Sequence, residues 1–155
     1  MFVENDNDII KNYCVDRYIP YQVIRKFSDL NYEGYHKILA IDHDSDKISN
    51  LIDVLSHKFG ENFYITRSTP HFCEISNKKA NKGSAIEFLA KKWNIKKEEI
   101  MACGDQNNDI EMLNAAGIKI AVGNSAECLK NIADFVTSDV ENDGICEAIR
   151  KFIGV

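Results

Sequence analysis

Two carboxylates, one helical turn apart, follow a short apolar stretch in the second half of the chain. Met101–Gly104 reads as a buried strand, Asp105 follows it directly, and Asp109 stands where a helix is predicted to start. In an open α/β sheet, ligands bind at the carboxyl ends of the strands. Carboxylate oxygens are ligands that Mg²⁺ prefers. The spacing therefore predicts a magnesium site at Asp105 and Asp109, although an aspartate near a helix start also acts as a simple cap.

A lysine upstream could supply a fixed positive charge. The segment 81–85, Asn-Lys-Gly-Ser-Ala, opens an amphipathic helix and places Lys82 in its first turn. A cation beside two carboxylates suits a site that binds a negatively charged group. The predicted apolar face of this helix comprises Ala85, Leu89 and Trp93, with Ile86 and Ala90 beside it.

An asparagine downstream is expected at the same edge of the sheet. The segment 118–122 reads as a second buried strand, and Gly123, Asn124 and Ser125 follow it directly. Glu127 stands three residues after Asn124, a spacing typical of a capping box, which predicts that a helix starts after Asn124.

These three motifs, in this order, resemble the haloacid dehalogenase superfamily and, more narrowly, the Cof-type sugar-phosphate and nucleotide phosphatases. The motifs are Lys82-Gly83-Ser84, then Gly-Asp105-x-x-Asn108-Asp109, then Gly-Asn124-Ser. The resemblance implies an α/β fold, with a Rossmann-like core built on a mostly parallel sheet and an α+β cap domain. It also implies Mg²⁺-dependent hydrolysis of small phosphate monoesters through an aspartyl-phosphate.

The resemblance also implies roles for five residues. Lys82 would neutralise the phosphate and the nucleophile, and Asp105 would bind Mg²⁺. Asp109 would support the metal through water or orient the lysine. Asn108 and Asn124 would hold the phosphate or line the substrate pocket. Phosphoryl transfer depends on charge neutralisation and positioning, so this set of groups suits it.

The family's nucleophile motif, Asp-x-Asp-Gly-Thr after an apolar strand, is absent at the amino terminus, where the chain reads Met1-Phe-Val-Glu-Asn-Asp. Ile38–Asp44 has a similar outline, and Asp42 would be its nucleophile in a complete capless phosphatase. Asp46 stands where the family has threonine, however, and no glycine follows Asp44. The other interpretation makes Asp42 to Asp46 a solvated strand-to-helix turn.

On that second interpretation the first part of the chain is a partial cap. Lys37–Ile41 would be a strand, 44–58 a helix, and 63–75 a hairpin that returns the chain to Lys82. We therefore predict a partial α+β cap at 1–78 and the carboxyl-terminal half of the core at 79–155. The core would contain only three strands, near Ile100–Cys103, Ile118–Val122 and Phe135–Thr137.

A core without its nucleophile strand has two predicted consequences. The first core strand would be an open apolar edge, so we expect self-association or pairing with a missing amino-terminal segment. The chain alone would hydrolyse phosphate esters very weakly or not at all. A different class of function remains open, namely a non-catalytic remnant that binds phosphate ligands or a partner chain.

The charge and hydropathy of the sequence limit the classes of partner that the protein is expected to bind. The net charge is −5, and the lysine pairs are short and scattered, which argues against nucleic-acid binding. No signal-peptide pattern and no apolar stretch of about eighteen residues is present, which predicts a cytoplasmic protein that does not bind membranes. The expected partner is a small phosphorylated metabolite.

Overall fold

The structure, a computed structural model, describes residues 1–31 and 34–154 as an α/β protein. The strands are β1 (Phe2–Val3), β2 (Gln22–Val23), β3 (Lys37–Ile41), β4 (Phe63–Arg67), β5 (Phe72–Asn77), β6 (Met101–Gly104), β7 (Ile118–Ala121) and β8 (Phe135–Val136). The α-helices are α1 (Asp8–Asp16), α2 (Ser45–Phe59), α3 (Lys82–Trp93), α4 (Ile110–Ala115), α5 (Glu127–Lys130) and α6 (Gly144–Phe152).

A parallel sheet in the order β6-β7-β8 forms the base of the candidate site. Parallel neighbours need crossover connections, and α4 and α5 supply them. All three carboxyl ends therefore meet at one edge, as the sequence predicted. The core cluster against this sheet comprises Ala102, Leu113, Ala116, Ala121 and Leu129, each at most 5% exposed.

A separate antiparallel sheet has the order β3-β5-β4. The predicted strand, helix and hairpin of this region are confirmed as elements by β3, α2, β4 and β5. Asp44 caps α2 by accepting hydrogen bonds from the backbone N–H of Asp46 and Lys47. The apolar stripe of α2 points inward at Ile48, which is 1% exposed.

The first helix packs on the antiparallel sheet through aromatic side chains. The rings of Tyr13 on α1 and Phe72 on β5 meet edge to face, with centroids 5.5 Å apart. The Arg17 guanidinium lies 4.4 Å from the Tyr13 ring centre. Upstream and downstream of α1, β1 and β2 form a two-stranded parallel sheet.

The prediction of the apolar face of α3 was wrong. Trp93 is 61% exposed and Leu89 38%, whereas Ile86 packs against the core cluster. Gly83 sets this orientation, because a Cβ on it would overlap the Glu111 carbonyl of α4. The close approach of the two backbones turns Ile86 toward the core and leaves the aromatic side chain outside.

Within the described residues, β6 has β7 as its one strand neighbour, so β6 is an edge strand. The predicted division of the chain at residue 78 stays a prediction; the antiparallel sheet lies before it and the parallel sheet after it. In residues 1–31 and 34–154, no helix combines the length and the apolar character needed to cross a membrane.

Candidate functional site

The site is built around an ion pair between α3 and the loop after β6. Asn81 caps α3 by accepting a hydrogen bond from the Ser84 backbone N–H at 2.8 Å, which fixes Lys82 as the first helical residue. The Lys82 ammonium donates to Oδ1 of Asp109. The Asp109 side chain is 3% exposed and the Lys82 side chain 51% exposed, so the lysine keeps hydrogens free for a ligand.

The second carboxylate oxygen of Asp109 closes the loop after β6. Oδ2 accepts hydrogen bonds from the backbone N–H of Asp105 at 3.0 Å and of Gln106 at 3.3 Å. Burial alone would raise the pKa of Asp109, but the hydrogen bonds and charge of Lys82 and these two backbone donors bring that pKa below its usual value. Asp109 is therefore an ionised group held by three donors.

Gly104, the last residue of β6, makes room for this arrangement. A Cβ on Gly104 would lie 2.6 Å from the Cβ of Asp109 and 3.0 Å from Cδ1 of Leu113. Both contacts are shorter than packed carbon atoms allow. The Gly-Asp pair of the motif thus has a steric reason, because glycine lets Asp109 reach under the end of the strand.

Asp105 is the exposed carboxylate of the site. It lies beside Asp109, and desolvation together with the hydrogen bond and charge of that neighbour raises its pKa, with Lys82 opposing the shift. One lysine thus faces two carboxylates. A divalent cation at Asp105 would relieve the excess negative charge, so the donor chemistry fits Mg²⁺.

The two aspartates differ in how their carboxylate oxygens are engaged. Both oxygens of Asp109 are engaged by Lys82 and by backbone donors, which leaves Asp105 as the carboxylate open to a metal. The contacts of Asp109 match the lysine-orienting role that the sequence left as one of two alternatives. Across the described ranges, no cluster of three or more His, Cys, Asp or Glu side chains is arranged to hold a metal.

Asn108 and Asn124 lie on the two loops that follow β6 and β7. The loops are joined where the Ala126 N–H donates to the Asp105 carbonyl at 2.9 Å. Asn124 is exposed and Asn108 is half-buried, and neither side chain has a hydrogen-bond partner among the described residues. Both amides are therefore available to a ligand.

The predicted capping box at Asn124 and Glu127 was wrong. Helix α5 starts at Glu127, its N-cap is Ala126, and this cap makes no side-chain hydrogen bond. The Ala126 amide is instead held by Asp105 in the neighbouring loop. Because of this tertiary hydrogen bond, the helix begins two residues later than predicted. The Glu127 side chain instead accepts a hydrogen bond from the Lys130 ammonium.

Asp42 lies in a different sheet from Asp105. It follows β3, which pairs with β5 in the antiparallel sheet and, among the described residues, has no bond to the parallel sheet. Its Oδ1 accepts from the Asp44 N–H at 2.8 Å, and Lys47 lies 3.7 Å from Oδ2. These contacts are those of a strand-to-helix turn, and they argue against Asp42 as a nucleophile for the Lys82 site.

Tyr64 and Glu111 near the site carry no signal in the sequence, whereas Ser125 belongs to the third motif without a role assigned to it. Tyr64 of β4 is half-buried, and burial raises its pKa. A hydrogen bond with Thr66 and the charge of Lys82 lower this pKa, whereas the charges of Glu111 and Asp109 raise it further. Ser125 is 6% exposed, and its hydroxyl lacks a partner in the described part of the chain. Glu111 joins the site only because its backbone packs on Gly83, a contact between helices that sequence spacing does not indicate.

Fold and site together define an α/β protein with a lysine, an acidic pair and free amides at the carboxyl edge of a parallel sheet. The chain belongs to the haloacid dehalogenase-like hydrolases, since that family's profile matches residues 1–149. The family predicted from the three motifs is thereby confirmed.

The chain is similar to proteins named as phosphatases. It is 41% identical over 80 residues to phosphoglycolate phosphatase of Methanothermobacter thermautotrophicus, an alignment that covers 52% of this chain and 36% of that protein. It is 39% identical over 97 residues to phosphatase YwpJ of Bacillus subtilis, covering 63% of this chain and 34% of that one. The chain thus spans about a third of the length of these curated relatives.

A solved structure supports the narrower, Cof-type placement. The haloacid dehalogenase subclass IIB sugar phosphatase BT4131 superposes with a TM-score of 0.77 at 28% sequence identity. The superposition covers 97% of this chain and 56% of that one. The antiparallel sheet β3-β5-β4 and the parallel sheet β6-β7-β8 therefore both take part in the match.

Proposed function

We propose that this chain carries the phosphate- and metal-binding half of a Mg²⁺-dependent phosphatase that acts on small phosphate monoesters. One observation carries the proposal: the half-exposed Lys82 ammonium is fixed by buried Asp109 beside the exposed carboxylate of Asp105. A cation and an open metal ligand at one point suit a phosphate group and its counter-ion.

Each residue then has a defined task. Lys82 neutralises charge on the phosphate oxygens, and Asp109 orients the ammonium. Asn108 and Asn124 donate hydrogen bonds to the phosphate from adjoining loops. Asp105 would hold Mg²⁺, which when bound supplies positive charge to the phosphoryl group.

We further propose that the nucleophile and the general acid come from residues outside this chain. Among the described residues, the parallel sheet has an aspartate directly after one strand, β6, and we assign that aspartate to the metal. The free edge of β6 gives a place where a further strand could pair and bring a carboxylate beside Lys82. Alone, the chain is then expected to bind phosphate but not to turn it over.

Titration calorimetry with inorganic phosphate, in the presence and absence of Mg²⁺, tests the binding half of the proposal. We expect binding that Mg²⁺ strengthens and that Lys82→Met abolishes. Lys79→Met is the matched control, because Lys79 is an exposed lysine in the turn before α3. Equal phosphate affinity in the Lys82 variant and the wild type would refute the proposal.

Hydrolysis of p-nitrophenyl phosphate tests the catalytic half. The chain and its Asp42→Asn and Asp105→Asn variants should show no Mg²⁺-dependent turnover above background. Turnover in the wild type that disappears in both variants would instead establish a complete small phosphatase with Asp42 as nucleophile.

A second candidate function is a non-catalytic protein that binds phosphate ligands or a partner chain. The free β6 edge and the exposed aromatic side chains of α3 favour it. In that case Asp105 alone would anchor Mg²⁺ weakly, since Mg²⁺ binds with several oxygen ligands. Tight Mg²⁺ binding measured by calorimetry, without phosphate, would count against this candidate.

A further inference from the structure

A cavity beside the proposed phosphate site carries an inference about substrate choice. It has a volume of about 360 Å³ and lies between α2, the edge strand β4 and the start of α4. Volumes of this order hold small metabolites. The polar groups in its wall include Asp53 of α2, Tyr64, Thr66 and Arg67 of β4, Asn107, and Glu111 of α4.

The cavity adjoins the Lys82 site at two points. Glu111 packs its backbone against Gly83, the residue next to Lys82. Tyr64 lines the cavity and is also within electrostatic reach of Lys82 and Asp109. A phosphate held by Lys82 would therefore direct the rest of its ester toward this cavity.

The charged side chains of the cavity wall differ in whether they have a partner within the protein. The Arg67 guanidinium donates to the Ser45 carbonyl at 3.2 Å and to Oγ of Ser49 at 2.5 Å, which ties it to α2. Asp53 and Glu111 are exposed and have no hydrogen-bond or ion-pair partner in the described parts of the chain. The wall thus offers two free carboxylates against one cation that is already engaged.

Free carboxylates accept hydrogen bonds and repel anions. Each ionised carboxylate has about four acceptor positions and no donor, so it pairs with hydroxyl groups. A second carboxylate or phosphate on the substrate would meet like charge in a partly enclosed space.

We infer that Asp53 and Glu111 are specificity-determining residues that select a neutral, hydroxyl-rich leaving group and reject phosphate esters that carry a carboxylate. This inference rests on the proposed function, because it assumes that the phosphate binds at Lys82. It separates this chain from the phosphoglycolate phosphatase to which it is similar, since phosphoglycolate is itself a carboxylate.

Titration calorimetry in Mg²⁺ buffer with glucose 6-phosphate, phosphoglycolate and inorganic phosphate tests the inference. The wild type should bind glucose 6-phosphate most tightly. In the Asp53→Asn/Glu111→Gln double variant, affinity for glucose 6-phosphate should fall about tenfold through the lost acceptors, while affinity for phosphoglycolate rises. Inorganic phosphate affinity should stay unchanged, and Asp46→Asn, an exposed carboxylate of α2 outside the cavity wall, should alter none of the three.

The outcomes separate the two proposals. Unchanged affinities for both esters in the double variant, or a wild type that prefers phosphoglycolate, would overturn the specificity inference and leave the Lys82 phosphate site standing. Failure of the wild type to bind inorganic phosphate would overturn the proposed function and the inference with it. Opposite shifts for the two esters support the inference, because a general loss of structure would weaken both.

Discussion

At the scale of single residues, the two aspartates of the site have opposite surroundings. Asp109 is buried and receives hydrogen bonds from Lys82 and two backbone N–H groups. Asp105 is exposed and lies beside that carboxylate. Asp109 holds the loop together through its hydrogen bonds. Asp105 is destabilised in its ionised form by the neighbouring carboxylate, and a bound cation would remove that repulsion.

Replacing these aspartates by asparagine should change stability in opposite directions. Asp109→Asn removes charged acceptors from buried donors and should lower the free energy of unfolding by about 2 kcal/mol. Asp105→Asn removes repulsion between carboxylates and should raise the urea midpoint while weakening Mg²⁺ binding. Urea unfolding of the three proteins measures this, and a destabilised Asp105→Asn would show that the carboxylate supports the fold.

The sequence predicted the positions of the site residues better than their contacts. Asp105, Asp109 and Asn124 follow strands whose apolar composition is clear, so their meeting at one sheet edge was predictable. The engagement of both Asp109 oxygens was not, because it depends on where Lys82 and two backbone amides lie in space. Asp53 and Glu111 face one cavity from different helices, which spacing along the chain does not reveal.

At the scale of elements, the contact between α3 and α4 positions Lys82. Gly83 allows the two backbones to touch at the Glu111 carbonyl. At residue 83, helix propensity favours alanine, whereas packing against α4 favours glycine. Alanine is favoured over glycine inside a helix by about 1 kcal/mol, whereas overpacking a close contact costs about 1–3 kcal/mol.

Gly83→Ala should therefore destabilise the protein despite its better helix propensity, since its Cβ would meet backbone atoms that cannot rotate away. It should also weaken phosphate binding by moving Lys82. Ser84→Ala in the same turn is the control, and we expect it to be neutral or slightly stabilising. Thermal unfolding and phosphate titration measure both effects. If Gly83→Ala were more stable than the wild type, helix α4 would have to shift to make room for the added Cβ.

Helix α6 is anchored by one carboxylate. Glu147 accepts hydrogen bonds from the backbone N–H of Ser138 at 3.0 Å and from its hydroxyl at 2.5 Å. The side-chain and backbone hydrogen bonds from Ser138 lower the pKa of Glu147. A lowered folded-state pKa means that the ionised carboxylate stabilises the fold above the unfolded value of about 4.3. This contribution is lost as the pH falls through the lower folded value.

Glu147→Gln should thus lower the urea midpoint at pH 7, and the difference from the wild type should narrow as the pH falls below about 4.3. Glu141→Gln is the control, because within the described residues the Glu141 side chain has no hydrogen-bond partner. A difference that is constant with pH would mean that the effect of Glu147 is not ionic.

The elements that could be predicted from the sequence are those stabilised by local interactions. Helix α2 and the hairpin after it have clear periodicity and a side-chain cap, so their bounds agree with the prediction to within two residues. The buried face of α3 and the start of α5 depend on Gly83 against α4 and on Ala126 bonded to Asp105. Both are tertiary contacts, and local patterns do not contain them.

At the scale of the whole molecule, large apolar side chains of α3 remain exposed. On α3, Phe88 is 66% exposed and Trp93 61% exposed, and β6 has one strand neighbour among the described residues. Open edges and exposed aromatic side chains favour association with other chains.

Sedimentation velocity should therefore show concentration-dependent association of the isolated chain. Phe88→Glu/Trp93→Glu should reduce it by placing charge on this surface. Val54→Glu is a matched control, since Val54 is 63% exposed on α2, a helix that contacts β4 and β5 of the antiparallel sheet. A chain that stays monomeric at every concentration would show that the aromatic surface of α3 does not drive association.

The hydrogen bond from the Ala126 amide to the Asp105 carbonyl gives the site a reporter that needs no substitution and no attached dye. The deuterium uptake of this one amide depends on how often the two loops part. If Asp105 holds Mg²⁺, uptake at Ala126 should slow when Mg²⁺ and phosphate are added, while uptake at Leu129, bonded to Ala126 at the start of α5, changes less. Occupancy could then be followed in the untreated protein even where no product is ever formed.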